Sequence, residues 1–293
     1  MGTLLLTSLL QFGAAVCTVF SLSMGDVMQA ADNDATIAPK PLDLLVQPKG
    51  FGKVNPADIT AVLQSAGSEI WRHCPRTRLD GIEVYHRTDH PQTDFKRTPD
   101  GRIAIGLSSH DTYWGQYSFQ FAHEFCHTLA NFSSSPGRPV RYPRTANLWL
   151  EESLCETASL FCLRAMSHSW QTAPPYPAWK DYAPSLNDYA QQRLMLAKHQ
   201  LPDDKSFLYW FNRHYAGLRR DPAIRDWNNV IAIQLLPLFE AEPHAWEAVT
   251  FLNHGSYVAN ESLAQHLVEW RSQCPEDLRP FIKRLAAVFA INL

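Results

Sequence analysis

An α+β fold, with a small N-terminal sheet followed by a mainly helical C-terminal lobe, is predicted by three features of this 293-residue chain. Only two runs read as strands, Gly81 to His86 and Arg102 to Leu107, each short and rich in β-branched or aliphatic residues. From Tyr117 onward, apolar residues recur at helical spacing almost without interruption. No Gly/Ser-rich linker, charge block or internal repeat divides the chain. One domain over residues 31–293 is therefore expected, with an α/β lobe over about 50–135 and a helical lobe over about 145–293.

The elements follow in order. The stretch from Leu4 to Met24 is apolar and uncharged, broken by Gln11, and the polar stretch Asp26 to Asp34 follows it. That pattern predicts a signal peptide over residues 1–30 and an exported protein, periplasmic or secreted. An uncleaved N-terminal membrane anchor is the alternative. No later run approaches the ~18 apolar residues that cross a bilayer, so no stable membrane association is expected after signal removal. A Pro-containing extended segment runs through Lys49, and Ile59, Val62, Leu63, Ala66 and Ile70 then carry helical spacing over Pro56 to Arg72. The two strands come next, separated by a polar loop rich in Asp, Thr and Pro. Helices are expected over about 117–131, 147–167, 185–198, 205–217, 223–239, 243–252, 260–272 and 276–290, punctuated by loops such as Ala173-Pro174-Pro175-Tyr176-Pro177.

Composition narrows the function. With 45% hydrophobic and 19% charged residues the chain is an ordinary globular protein. The net charge is −3, and no basic cluster exceeds pieces such as Arg219-Arg220, so a nucleic-acid partner is not expected. Six cysteines become five once the signal is cut. Cys155 and Cys162 lie two helical turns apart, about 10 Å along the axis, and cannot bond to each other. Cys74 with Cys274 is the expected pair, while Cys126, Cys155 and Cys162 read as buried small hydrophobes. Trp149, Phe161 and Trp170 read as core residues rather than substrate contacts.

The run Phe121-Ala122-His123-Glu124-Phe125-Cys126-His127 carries the chemistry. On a helix, residues four apart share a face, so His123 and His127 can reach one zinc ion while Glu124 is offset toward a water on it. A third ligand is needed. Where a metzincin would carry a Gly and a third His, this chain has Ala130 and Ser133, so the ligand must come from elsewhere. The next helix, from Asn147 to Ser159, sets Glu151, Glu152 and Glu156 within six residues among Trp, Leu and Cys. Carboxylates buried in such company need a cation or hydrogen-bond donors.

These two segments resemble the gluzincins, the thermolysin-like and membrane-alanyl-aminopeptidase-like metallopeptidases. Leu148-Trp149-Leu150-Glu151-Glu152 looks like the Leu-Trp-Leu-Asn-Glu of the aminopeptidase branch, which implies Glu152 as the third metal ligand, 24 residues beyond His127. The resemblance implies an outer carboxylate at Glu156 that orients a metal histidine. It also implies a zincin-like fold in which Ile103 to Leu107 is an edge strand, packed on the motif helix and holding extended peptide. It covers roughly residues 100–165. No Gly-x-Met-Glu-Asn segment is present, so aminopeptidase activity is not implied. Glu151 stands where the family usually has Asn. It is the alternative third ligand; with Glu152 as the ligand, Glu151 lies about 100° round the helix and is expected to stand outside the site.

The reading is a zinc metallopeptidase with one ion per chain, Glu124 as general base and a peptide or protein as substrate. A donor for the developing oxyanion is expected from His214, Tyr215, His254 or Tyr257, and residue type does not choose among them. Two other classes fit the same residues: a catalytically idle zinc-binding protein, and a zinc hydrolase acting on a non-peptide or cell-wall amide.

Overall fold

The sheet of the computed structural model has four strands, β1 (Leu44–Val46), β2 (Ile82–His86), β3 (Gln92–Asp94) and β4 (Ile103–Leu107), in the order β1-β2-β4-β3. β1 runs parallel to β2 and β2 to β4, with Ile82 opposite Ile103 and Val84 opposite Ile105. β3 pairs antiparallel with β4, setting Thr93 opposite Ile105. Every residue of β4 is buried, as in a strand covered on both faces. This corrects the expectation that Ile103 to Leu107 forms the edge. The edge on that side is β3, whose polar triplet Gln92-Thr93-Asp94 has no apolar alternation and becomes a strand by pairing with β4. β1 comes from the Pro-containing extended segment and pairs because it lies beside β2.

The structure describes residues 41–133, 145–256 and 258–293, all within the unit Pro39–Leu293. The signal-peptide region 1–30 and Tyr257 lie outside the described residues. Among the described residues there are nine α-helices, so the chain is α+β with a small sheet and a helical remainder: α1 (Pro56–Trp71), α2 (Trp114–Phe132), α3 (Leu148–Ser169), α4 (Ala183–Leu194), α5 (Phe207–Arg220), α6 (Arg225–Ala241), α7 (Trp246–Val249), α8 (Leu263–Gln273) and α9 (Arg279–Val288). α1 begins with Asn55 capping Ala57 N and Pro56 at the first position, a common way to start a helix. α2 starts one turn earlier than the apolar spacing suggests. α7 is much shorter than the expected 243–252, because the amides of Thr250, Phe251 and Leu252 donate to carbonyls three residues back, a 3₁₀ pattern. No helix among the described residues is long and apolar enough to cross a membrane.

α3 is the centre of the helical part. It packs against α1, α2, α4, α5 and α6 and is buried on nearly every side, which is why its sequence lacks a polar face. Trp149 is fully buried against Phe211, Tyr215 and Phe289, and Phe161 and Trp170 are also core residues, as expected. Cys74 and Cys274 are both free and buried, so the expected disulfide is not formed. Each fills its own helix end: the Cys74 thiol donates to the Ile70 carbonyl just past α1, and Cys274 caps α8. Burial pushes both thiols up, Cys274 to about 12.

Candidate metal centre

Residues two apart on a helix point roughly 200° away from each other. In α2 this turns Phe121 and Phe125 into the core, stacked 5.7 Å apart with Trp71 edge-on to Phe125. It turns His123 and His127 the other way, their rings 5.2 Å apart, toward α3. There Glu152 Oε2 lies 3.5 Å from His123 Nε2 and 3.6 Å from His127 Nε2. Two ligand atoms ~2.1 Å from one tetrahedral ion stand ~3.4 Å apart, so both spacings fit shared coordination. A cavity of about 260 Å³ opens here, lined by His123, Glu124, Glu152, Glu156, Arg225 and Asn228 among others.

Carboxylates and imidazoles on the two helices stabilise each other's charged forms. Burial alone would raise the Glu152 carboxyl, but the imidazoles of His127 and His123 outweigh it and hold it below the usual carboxylate range. Burial likewise opposes a charged His127, yet Glu152 and Glu151 together push its imidazole well above its ordinary value. The acidic side chains thus favour positive charge between them, which a divalent cation would supply in place of a proton.

The contacts behind His123 and His127 differ from those expected. Glu151, only 3% exposed, accepts from three groups: its Oε1 is 2.6 Å from His127 Nδ1 and 2.7 Å from Asn131 Nδ2, and Asn253 Nδ2 donates to its Oε2 at 2.7 Å. Asn253 also donates to Asn131 Oδ1. The expectation that Glu151 stands outside the site is therefore corrected. Its offset round the helix from Glu152 is what lets the two carboxylates reach opposite nitrogens of one imidazole. Glu156 is 1% exposed, accepts from Arg225 Nε at 2.7 Å and sets its Oε1 3.6 Å from His123 Nδ1. That buried Nδ1 has no hydrogen-bond partner, and the Glu156 carboxylate stands just beyond hydrogen-bonding distance of it. On Glu124, the Thr93 hydroxyl of β3 lies 2.9 Å from both the backbone carbonyl and carboxylate Oε2. The edge strand thereby fixes the carboxylate next to the histidines.

Cys155 offers another donor. One nitrogen of His123, one of His127 and the Cys155 thiol all lie within 4.8 Å of one another. Cys155 is fully buried, its thiol is pushed well up by burial with Cys126 beside it, and Glu152, not Cys155, lines the cavity. Comparison brings no relative to bear. No family model, curated protein or solved structure matches the chain.

Of the residues that qualify by type as an oxyanion donor, the three described ones, His214, Tyr215 and His254, are not among those lining the cavity. His214 stacks on Trp210 with its Nδ1 at the Trp210 carbonyl, and the Tyr215 hydroxyl accepts from Leu263 N and from Arg219. The His254 ring packs on Phe251, and burial lowers its pKa. Arg225, Thr93, Asn131 and Asn253 are the site residues that sequence reasoning passed over. Of these only Asn131, one turn past His127 on α2, sits at a spacing that could have flagged it. Because Glu151 carries the Nδ1 side of His127, Glu151→Ala is expected to weaken zinc binding by roughly 10–100-fold, the usual effect of losing an outer partner. Chelator competition measures this, and unchanged affinity would mean that the bond has no role in holding the metal.

Proposed function

We propose that this chain is a zinc-dependent metallopeptidase of the gluzincin type, with His123, His127 and Glu152 holding the ion and Glu124 acting as general base. One observation supports the reading above the others: the Glu152 oxygen sits at tetrahedral-edge spacing from both Nε2 atoms, in a cavity that Glu124 also lines. Zinc, when bound, supplies Lewis acidity, lowering the pKa of a water to about 7 and polarising a carbonyl. The chain's own groups do the rest. Thr93 holds Glu124 through Oε2, leaving Oε1 to take a proton from the attacking water and return it to the leaving amine. Arg225 commits its Nε to Glu156 and keeps its other N–H groups for the oxygen that gains charge as the carbonyl is attacked. The outer edge of β3, beside Glu124, is where an extended peptide would add as a further strand. The N-terminal apolar stretch supports export of the enzyme, with an N-terminal membrane anchor as the alternative.

Purified protein is expected to carry about one zinc per chain by elemental analysis and to cleave unstructured polypeptides in a chelator-sensitive way. Absence of bound transition metal overturns the proposal. Full zinc with no turnover on a broad peptide library leaves the idle zinc-binding protein or the non-peptide amide hydrolase.

A further inference from the structure

A second pair of imidazoles meets away from that cavity. His86, the last residue of β2, and His110, in the loop after β4, face each other with Nε2 atoms 3.3 Å apart and ring centroids 4.6 Å apart. His86 is half-buried and His110 exposed. Both are held in place by one segment. The Phe51 ring stands edge-on to His86 at 5.3 Å. Gly50, at φ +99°, brings its backbone so close that a Cβ there would lie 2.7 Å from His86 Cβ, Cγ and Nδ1. On the other side, Asp111 N donates to the Phe51 carbonyl at 2.7 Å, and Lys53 N donates to Asp111 Oδ1 at 2.6 Å. The turn that carries His110 is thus clamped to the loop that positions His86.

We propose that His86 and His110 form a second metal site, independent of the first, that takes a borderline divalent cation such as Zn²⁺ or Cu²⁺ with solvent completing the shell. Their separation matches the ~3.4 Å edge between two imidazole nitrogens on one tetrahedral ion, and imidazole suits these metals. The clamp fixes the His86 ring and the backbone that carries His110 before any ion arrives, so only the His110 side chain loses freedom on binding. Burial, with His110 next to it, pushes the His86 pKa down, which keeps the ligating nitrogen free of a second proton at neutral pH. A single hydrogen bond between neutral imidazoles has the same spacing. To replace it, the donating ring moves its proton from Nε2 to Nδ1, which the exposed His110 ring is free to do, and no proton is released.

Calorimetric titration of the chelated full-length protein with Zn²⁺ tests this, with Cu²⁺ and electron paramagnetic resonance reporting imidazole nitrogen on the bound ion. Wild type is expected to show a tight and a weaker class of site. His110→Ala should abolish the weaker class or weaken it beyond the roughly 10–100-fold typical of outer partners, with an unfolding midpoint in chelator equal to wild type because the ring is exposed. His86→Ala should do the same to the weaker class. His127→Ala should lose the tight class and keep the weaker one, so failure of the hydrolase reading and failure of this one give different titrations. A single class in wild type that survives both His86→Ala and His110→Ala, or a weaker class unchanged in both, overturns the proposal.

Discussion

Glu124→Gln is expected to lower kcat by ~10²–10⁴, the usual contribution of a positioned acid–base group, while the protein keeps its full complement of zinc. Two structural facts separate the rate from the metal. Glu124 lies between the histidines in sequence but is turned off their face, and its carboxylate is held by Thr93 of β3 rather than by an imidazole. The side chain is 3% exposed, yet Gln is nearly isosteric and its amide oxygen can accept the same Thr93 bond, so the cost to folding is small. What Gln lacks is a basic oxygen for the proton of the attacking water. Elemental analysis together with single-turnover kinetics on the same preparation measures both quantities. An unchanged rate at full zinc would move the general base to another residue. Loss of zinc alongside the rate would make Glu124 part of the metal-holding set.

How far the sequence discloses such a site depends on where the stabilising contacts lie. α2 and α3 carry their own apolar spacing, and the helical repeat alone places His123 and His127 on one face, so these features are legible. β3 is not, because a polar triplet becomes a strand only when β4 is beside it. The misreading of β4 as the edge follows directly from missing β3. Glu151 shows a subtler failure. The geometric premise, that it cannot share the face of Glu152, holds in the structure. The conclusion fails because an imidazole presents two nitrogens in different directions, and one carboxylate serves each. Arg225 and Asn253 reach their carboxylates across 69 and 102 residues of chain, distances over which no local pattern speaks. The choice of Glu152 over its neighbours rests on the gluzincin resemblance, and spacing within α3 alone does not make it.

Glu152→Ala is expected to cost more than the roughly 10–100-fold in zinc affinity that outer partners contribute and to abolish turnover, whereas Cys155→Ala should retain both. The two residues compete for one coordination position. Glu152 Oε2 meets both Nε2 atoms at 3.5 and 3.6 Å and faces the cavity, so an ion held there keeps a position open to water and substrate. Cys155 also lies within 4.8 Å of a nitrogen from each histidine, but it is fully buried beside Cys126 and its thiol resists ionisation. Truncating it removes one buried sulfur, for a stability loss of roughly 1 kcal/mol. Truncating Glu152 removes the carboxylate that faces both imidazoles and leaves His127 with Glu151 as its charged partner. Chelator competition measures affinity in both variants, and cobalt substitution identifies the donor, since a cobalt–thiolate bond gives an intense near-ultraviolet charge-transfer band that carboxylate and imidazole ligands do not. Its absence in wild type, with cobalt bound, supports Glu152. If instead the band is present, and Cys155→Ala loses zinc while Glu152→Ala keeps it, the ion sits between the histidines and the thiolate, buried away from the cavity, and the hydrolase reading fails with it.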